Sequence, residues 1–199
     1  MQMTMKMTMK TTMTLNIKTS RKCRCTFSTS TNRKIDFLYK PSYPRPIYSI
    51  SHVETVYTDA SIRNHLVGVG IWFSPMDDRN ISKQIDFTDN IHKAEMEAIH
   101  WGLKLRHCQK DLCLYTDSDT SMRIIEKRMK RLNRHTFIKH YHLVDDIIDM
   151  MMDHSGDVKL CKIKSHSGVF GNEMADLLAR NATNATNATN ATNATQDGR

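Results

Sequence analysis

The chain has 199 residues, 39% of them apolar and 25% charged, an ordinary globular composition that excludes fibrous and wholly disordered classes. Its formal charge of +8 is unevenly placed: residues 1–50 carry ten Lys/Arg against one acid, Asp36, while the other nineteen basic residues meet twenty acids. The basic character thus belongs to an N-terminal arm, and the remainder is not a basic nucleic-acid sponge.

The longest apolar run, Leu66–Phe73, is eight residues with two glycines. A membrane-spanning helix needs ~20 residues and a secretory signal an apolar stretch of ~7–15 near the start, so neither is expected, and no membrane partner with them. Five cysteines (Cys23, Cys25, Cys108, Cys113, Cys161) form no paired zinc spacing. An odd count suits a reducing compartment, and Cys23-x-Cys25 reads as incidental.

Residues 1–50 read as a basic, acid-poor arm. Within 1–35 there are eight Lys/Arg, twelve Ser/Thr and no acid, the composition of an organelle transit peptide, with a mitochondrial address expected. The alternative is a disordered basic tail on a nuclear or cytoplasmic protein, binding nucleic acid nonspecifically. At the far end Asn-Ala-Thr repeats five times between Asn181 and Thr195, and residues 182–199 read as a polar low-complexity tail. Residues 51–181 remain as one domain.

That domain reads as mixed α/β. Val53–Asp59 alternates like a strand, Leu66–Phe73 like a buried strand, and Ile81–Phe87 like a third, polar at alternate positions. Ala94, Ala98, Trp101 and Leu105 recur at helical spacing between His92 and Cys108. Leu112–Asp117 is a short apolar strand followed by a helical stretch from Ser118. Leu143–Met152 is an amphipathic helix, Val158–Ile163 a last strand, and Asn172–Arg180 a closing helix. A meander of strands followed by helices around further strands makes a mixed sheet with helices on its faces.

Four acids fall at informative places. Asp59 and Asp117 each end a strand in the dipeptide Thr-Asp, Glu95 lies on the first turns of a helix, and Asp176 lies on the last helix. An acid after an apolar strand sits where open α/β sheets bind ligands. Clustered carboxylates repel unless a cation offsets them, and such oxygen ligands suit Mg²⁺ or Mn²⁺, not zinc. Two such ions are a standard device for phosphodiester hydrolysis. Each acid also has a local reading: Asp59 as a cap, Glu95 as a helix-dipole partner, Asp176 as the i+4 partner of Arg180.

The blocks Tyr57-Thr-Asp-Ala-Ser61, Lys93-Ala-Glu-Met-Glu-Ala98, Tyr115-Thr-Asp-Ser118, Lys164-Ser-His-Ser-Gly168 and Gly171-Asn-Glu-Met-Ala-Asp-Leu-Leu-Ala179 resemble the type 1 ribonuclease H family, from about Val53 to Arg180. The resemblance implies an α/β fold with a five-stranded mixed sheet in 3-2-1-4-5 order, flanked by helices on both faces. It implies an endoribonuclease that cuts the RNA strand of RNA–DNA hybrids with two Mg²⁺ ions, Mn²⁺ able to substitute, leaving a 5′-phosphate and a 3′-hydroxyl.

By the same resemblance Asp59, Glu95, Asp117 and Asp176 hold the metals, and His166 is the mobile-loop histidine that assists proton transfer or product departure. Glu97 falls on another side of its helix. The basic run Arg123, Lys127, Arg128, Lys130, Arg131, Arg134 and Lys139 faces only Glu126 in sequence and is expected to grip the hybrid backbone; a solvated helix face is the bland alternative. The protein is expected to act as a monomer.

Several positions depart from the family pattern. Ile62–Leu66 replaces a glycine-rich turn, and Thr88-Asp-Asn90 stands displaced from the expected Thr-Asn pair, which touches the phosphate pocket and the 2′-hydroxyl contacts. Competing readings are another nuclease on the same sheet (a junction resolvase or a reverse-transcriptase-derived domain) and a non-catalytic hybrid-binding module.

Overall fold

The computed structural model describes residues 24–28, 33–39, 53–107, 109–130 and 142–194. Their strands are β1 (Arg24–Ser28), β2 (Lys34–Leu38), β3 (Val53–Arg63), β4 (Leu66–Trp72), β5 (Ile81–Ile85), β6 (Asp111–Thr116) and β7 (Val158–Lys162). The helices are α1 (Ile91–Leu105), α2 (Asp119–Met129), α3 (His142–Asp153) and α4 (Phe170–Ala194).

One mixed sheet holds the strands in the order β1-β2-β7-β6-β3-β4-β5. Within it β5-β4-β3-β6-β7 reproduces the expected 3-2-1-4-5 arrangement: β3, β4 and β5 form an antiparallel meander, and β6 and β7 add in parallel beside β3. The hairpin from β3 to β4 closes on Asn64 and His65, with φ of 50° and 61°. Two successive left-handed residues match the strand twist, and asparagine tolerates that conformation better than most residues do.

The N-terminal arm corrects the sequence reading. Residues 24–28 and 34–38 are not a tail outside the fold: β2 pairs in parallel with β7, and β1 pairs antiparallel with β2. Ile35 and Phe37 are buried at 1% and 0% exposure, so the arm contributes to the core. The backbone N–H of Lys34 donates to Asp157 Oδ1 at 2.9 Å, Arg33 donates to the carbonyl of His154, and the Tyr39 hydroxyl donates to Glu126.

The helices cover both faces. On one face α1 packs on β3 and β4, α3 packs on α1, and α2 packs on α3. This side holds the larger apolar cluster, including Val56, Ile99, Leu103, Leu114, Met122 and Ile147. Among the described residues the opposite face is covered by α4, over Tyr57, Trp72, Tyr115, Cys161 and Ile163. Because both faces are covered, β4 is buried at nearly every position, which is why it reads as a continuous apolar run and not as an alternating one.

The closing helix is longer than expected. It runs to Ala194, and the first Asn-Ala-Thr unit is part of the packed structure: Ala182 is 5% exposed and Thr183 1%. Both lie against β4 at Gly68, where an added Cβ would come within 2.7 Å of Ala182 Cβ and 3.1 Å of Thr183 Cγ2. The low-complexity segment therefore begins beyond Thr183 in packing terms, not at residue 182.

Candidate active site

Asp59 lies inside β3 and Asp117 directly follows β6. The parallel register aligns Thr58 with Thr116, so the two aspartates emerge side by side at the same level of the sheet. The Ile163 N–H donates to the carbonyl of Thr116 at 2.9 Å, and Lys162 donates to the carbonyl of Asp117. The backbone that carries Asp117 is thereby tied to β7.

Glu95 arrives from the first turns of α1. Asn90 starts that helix, its side-chain oxygen accepting from the N–H groups of His92 (3.0 Å) and Lys93 (3.3 Å), which satisfies donors the first turn leaves open. Asn90 is thus committed to capping in the segment where the sequence departs from the expected Thr-Asn pair. Asp119 likewise sits just after the α2 cap, where Ser118 Oγ accepts from the Ser121 N–H at 3.3 Å.

Carboxylate oxygens of Asp59, Glu95 and Asp117 lie within 4.8 Å of one another. Asp59 and Glu95 are buried, at 8% and 6% exposure, and Glu95 Oε2 has no hydrogen-bond partner among the described residues. Burial, followed by the negative charges of Asp117 and Asp176, pushes Asp59 up to about 8. Burial, then Asp59 and Asp117, raises Glu95 well above the carboxylate range, and the Ala60 N–H opposes the shift at both.

Buried acids without basic partners are costly in their charged form. Two of them beside the half-buried Asp117, one with an orphan oxygen, make the donor set of a hard divalent cation.

Asp176 stands in a neighbouring group. A carboxylate oxygen of Asp176, one of Glu173 and a ring nitrogen of His166 lie within 4.8 Å of one another, and the charge of Asp176 is felt at Asp59. Asp176 also makes the i+4 ion pair with Arg180 that the sequence offered as its local reading, at 2.7 Å. His166 is exposed in the loop before α4, with φ of 48°, next to Gly168 at φ 74° and Ser167 Oγ, which donates to the Lys164 carbonyl at 2.6 Å.

Glu173 was not expected from the sequence. Its signal was available: it precedes Asp176 by three positions, the spacing that shares one helix face. Glu97, by contrast, lies beside His100 at 3.9 Å, apart from the cluster.

The basic run resolves less simply. Arg131, Arg134 and Lys139 lie outside the described residues. Of the others, Arg123 pairs with Asp119 (2.6 Å), Arg128 with Asp145 on α3 (2.6 Å), and Lys130 with Glu126 (2.5 Å). The single-signed reading of this stretch therefore fails for its described part, because Asp119 and the distant Asp145 supply the missing acids. Lys127 is exposed to solvent. Arg123 also covers the Tyr39 ring at 4.8 Å, joining the N-terminal arm to α2.

A family model described as RNase H matches residues 51–184. The chain belongs to the ribonuclease H family. It is 30% identical over 168 residues to a Ribonuclease H of Schizosaccharomyces pombe (strain 972 / ATCC 24843), an alignment covering 77% of this chain and 61% of that relative. The chain thus matches somewhat under two thirds of the relative's length. Among solved structures it is similar to RNase H1 from the halophilic archaeon Halobacterium salinarum NRC-1, at 19% identity and a TM-score of 0.48, covering 67% of this chain and 98% of that one. The family model's match begins at residue 51, so β1 and β2 lie outside the region it covers. Among the described residues no helix is long and apolar enough to cross a membrane.

Proposed function

We propose that the chain is an endoribonuclease that hydrolyses the RNA strand of RNA–DNA hybrids with the help of two divalent cations, Mg²⁺ or Mn²⁺, leaving a 5′-phosphate and a 3′-hydroxyl. The observation that carries this reading is the convergence of Asp59, Glu95 and Asp117 within 4.8 Å, with Asp59 and Glu95 buried. A non-catalytic binder would gain nothing from such uncompensated charge.

Asp59, Glu95 and Asp117 would hold one cation, and Asp176, close enough to act on Asp59, would share in holding a second. When bound, the ions supply Lewis-acid activation of water and charge stabilisation at the departing oxygen. The protein's own residues hold the carboxylates in place through the paired strands and the capped start of α1. His166 sits on a loop beside Asp176, where an exposed imidazole can pass a proton to or from the departing product. Choice of the RNA strand falls to contacts with 2′-hydroxyls in the wide minor groove of the hybrid.

The test is cleavage of labelled RNA–DNA hybrid, duplex RNA, duplex DNA and single strands by the purified chain, with Mg²⁺ and with a chelator. Cation-dependent loss of the RNA strand in the hybrid alone is expected; cleavage of duplex DNA, or of hybrid in the presence of chelator, overturns the reading. We further propose action as a monomer and a mitochondrial address carried by the residues before β1. A fluorescent fusion of residues 1–50 is expected to collect in mitochondria, and a diffuse or nuclear signal would remove that proposal.

A further inference from the structure

Gly70 on β4 is the cross-strand partner of Asp59 on β3. It faces α4, which lies directly on β4. A Cβ at position 70 would stand 2.0 Å from the carbonyl oxygen of Ala175 and 2.5 Å from the backbone nitrogen of Ala179. Both are main-chain atoms, so no side-chain rotation relieves the overlap and the helix itself must move. Ala175 immediately precedes Asp176 in the chain.

One point of contact thus joins the strand that carries one acid to the helix turn that carries another. Gly68 and Gly171 also meet α4 and Tyr57 at close range, with added Cβ atoms 2.3 Å from Ala179 O and from Tyr57 Cε2. Of the three, only Gly70 is in register with a carboxylate of the cluster.

We propose that Gly70 is a positioning residue for Asp176: the missing side chain lets α4 rest on β4, and this backbone contact sets the distance between Asp176 and Asp59 and so the width of the cation pocket. The inference rests on the reading of Asp176 as a cation ligand. It concerns geometry and not the chemistry of the glycine itself. Metal sites are sensitive to such support, and loss of a residue that orients a ligand typically costs about 10–100-fold in metal affinity.

The experiment uses the full chain, Mg²⁺ alone as the calorimetric probe, thermal melts, and hybrid kinetics. Gly70→Ala is expected to weaken Mg²⁺ binding about 10–100-fold and to lower kcat, with little change in KM for the hybrid. In the Gly70→Ala background, Asp176→Glu is expected to recover part of the Mg²⁺ affinity, because the longer carboxylate reaches back across the widened gap. In the otherwise unaltered chain Asp176→Glu overfills the pocket and weakens Mg²⁺ binding without lowering Tm.

A folded Gly70→Ala variant with a lower Tm and unchanged Mg²⁺ affinity would reduce Gly70 to a packing residue. Asp176→Glu binding Mg²⁺ as tightly as the original chain overturns the proposal even if Gly70→Ala does not fold. Asp176→Asn separates the two layers. If it leaves Mg²⁺ binding and cleavage intact, the assignment of Asp176 as a ligand fails; if it abolishes them while Gly70→Ala does not, only the positioning role fails.

Discussion

Tyr57 and Tyr115 stack face to face across the β3–β6 ladder, ring centroids 5.0 Å apart and planes within 17°, and two residues beyond each ring stands a carboxylate of the cluster, Asp59 or Asp117. The stack forms a floor under the acids and fixes the spacing of the two strand ends. Gly171 lies against the Tyr57 ring, and Trp72 closes its other side at 5.7 Å. Tyr115→Ala removes a 7%-exposed ring from this floor and is expected to cost about 3 kcal/mol. Urea unfolding measures that loss, and a parallel rise in the Mg²⁺ concentration needed for half-maximal cleavage would show that the floor spaces the acids.

Asp117→Asn is expected to abolish hybrid cleavage while leaving the fold as stable as before, or slightly more so. The substitution removes one negative charge from a repelling group. Several kcal/mol of transition-state stabilisation by the cations corresponds to a rate loss of about a thousandfold or more. Single-turnover cleavage together with a thermal melt checks both halves, and full activity would place Asp117 outside the cation site.

The raised Asp59 gives a sign to the pH dependence. Its carboxyl moves from an ordinary 3.8 to about 8, so between those values the folded chain holds a proton that the unfolded chain has lost. Stability from this group is therefore present at low pH and declines as pH rises from about 4 to about 8. Cation-free protein is expected to melt at progressively lower temperature across that window, with the slope reduced in Asp59→Asn. Cations compete with the same proton, so added Mg²⁺ is expected to raise Tm most at the alkaline end. Melts in chelator and in Mg²⁺ at several pH values decide it.

The arm that joins the sheet makes its own prediction. Phe37 is fully buried beside β7, and Phe37→Ala is expected to cost about 3–5 kcal/mol. A chain begun at residue 51 loses β2 and exposes the edge of β7, inviting association through unpaired strand groups. Light scattering of that shortened protein, beside the full chain, tests this directly.

Among the described basic residues of α2, Lys127 is the best candidate for a phosphate contact. Lys127→Ala is expected to weaken hybrid binding and lower the slope of log affinity against log salt by about 1. Arg128→Ala breaks a pair with Asp145 and is expected to lower stability more than it alters that slope. Binding isotherms at several salt concentrations separate the two.

The central sheet was legible because its apolar strands are bounded by turn residues, and the two Thr-Asp dipeptides announced the acids, although β3 runs on to Arg63 and Asp59 lies inside it. Helix α1 was legible from its periodicity and β5 from its alternation. The arm was not, because its charge and hydroxyl content spoke louder than the short alternation of Ile35, Phe37 and Tyr39. Whether so brief a strand forms depends on a β7 edge more than a hundred residues away. The same distance effect hid the Arg128–Asp145 pair, seventeen positions apart and made by two helices meeting. The glycines facing α4 were visible as letters; that a helix backbone presses on them is a tertiary fact.

The burial of Ala182 and Thr183 against Gly68 divides the repeated tail into a held first unit and successors that follow it. Replication slippage in such a tract adds or removes whole triplets of residues, and a gain or loss downstream leaves the held unit in register on β4. Inserting or deleting one residue just before the first unit would instead turn Ala182 and Thr183 about 100° around the helix and away from Gly68.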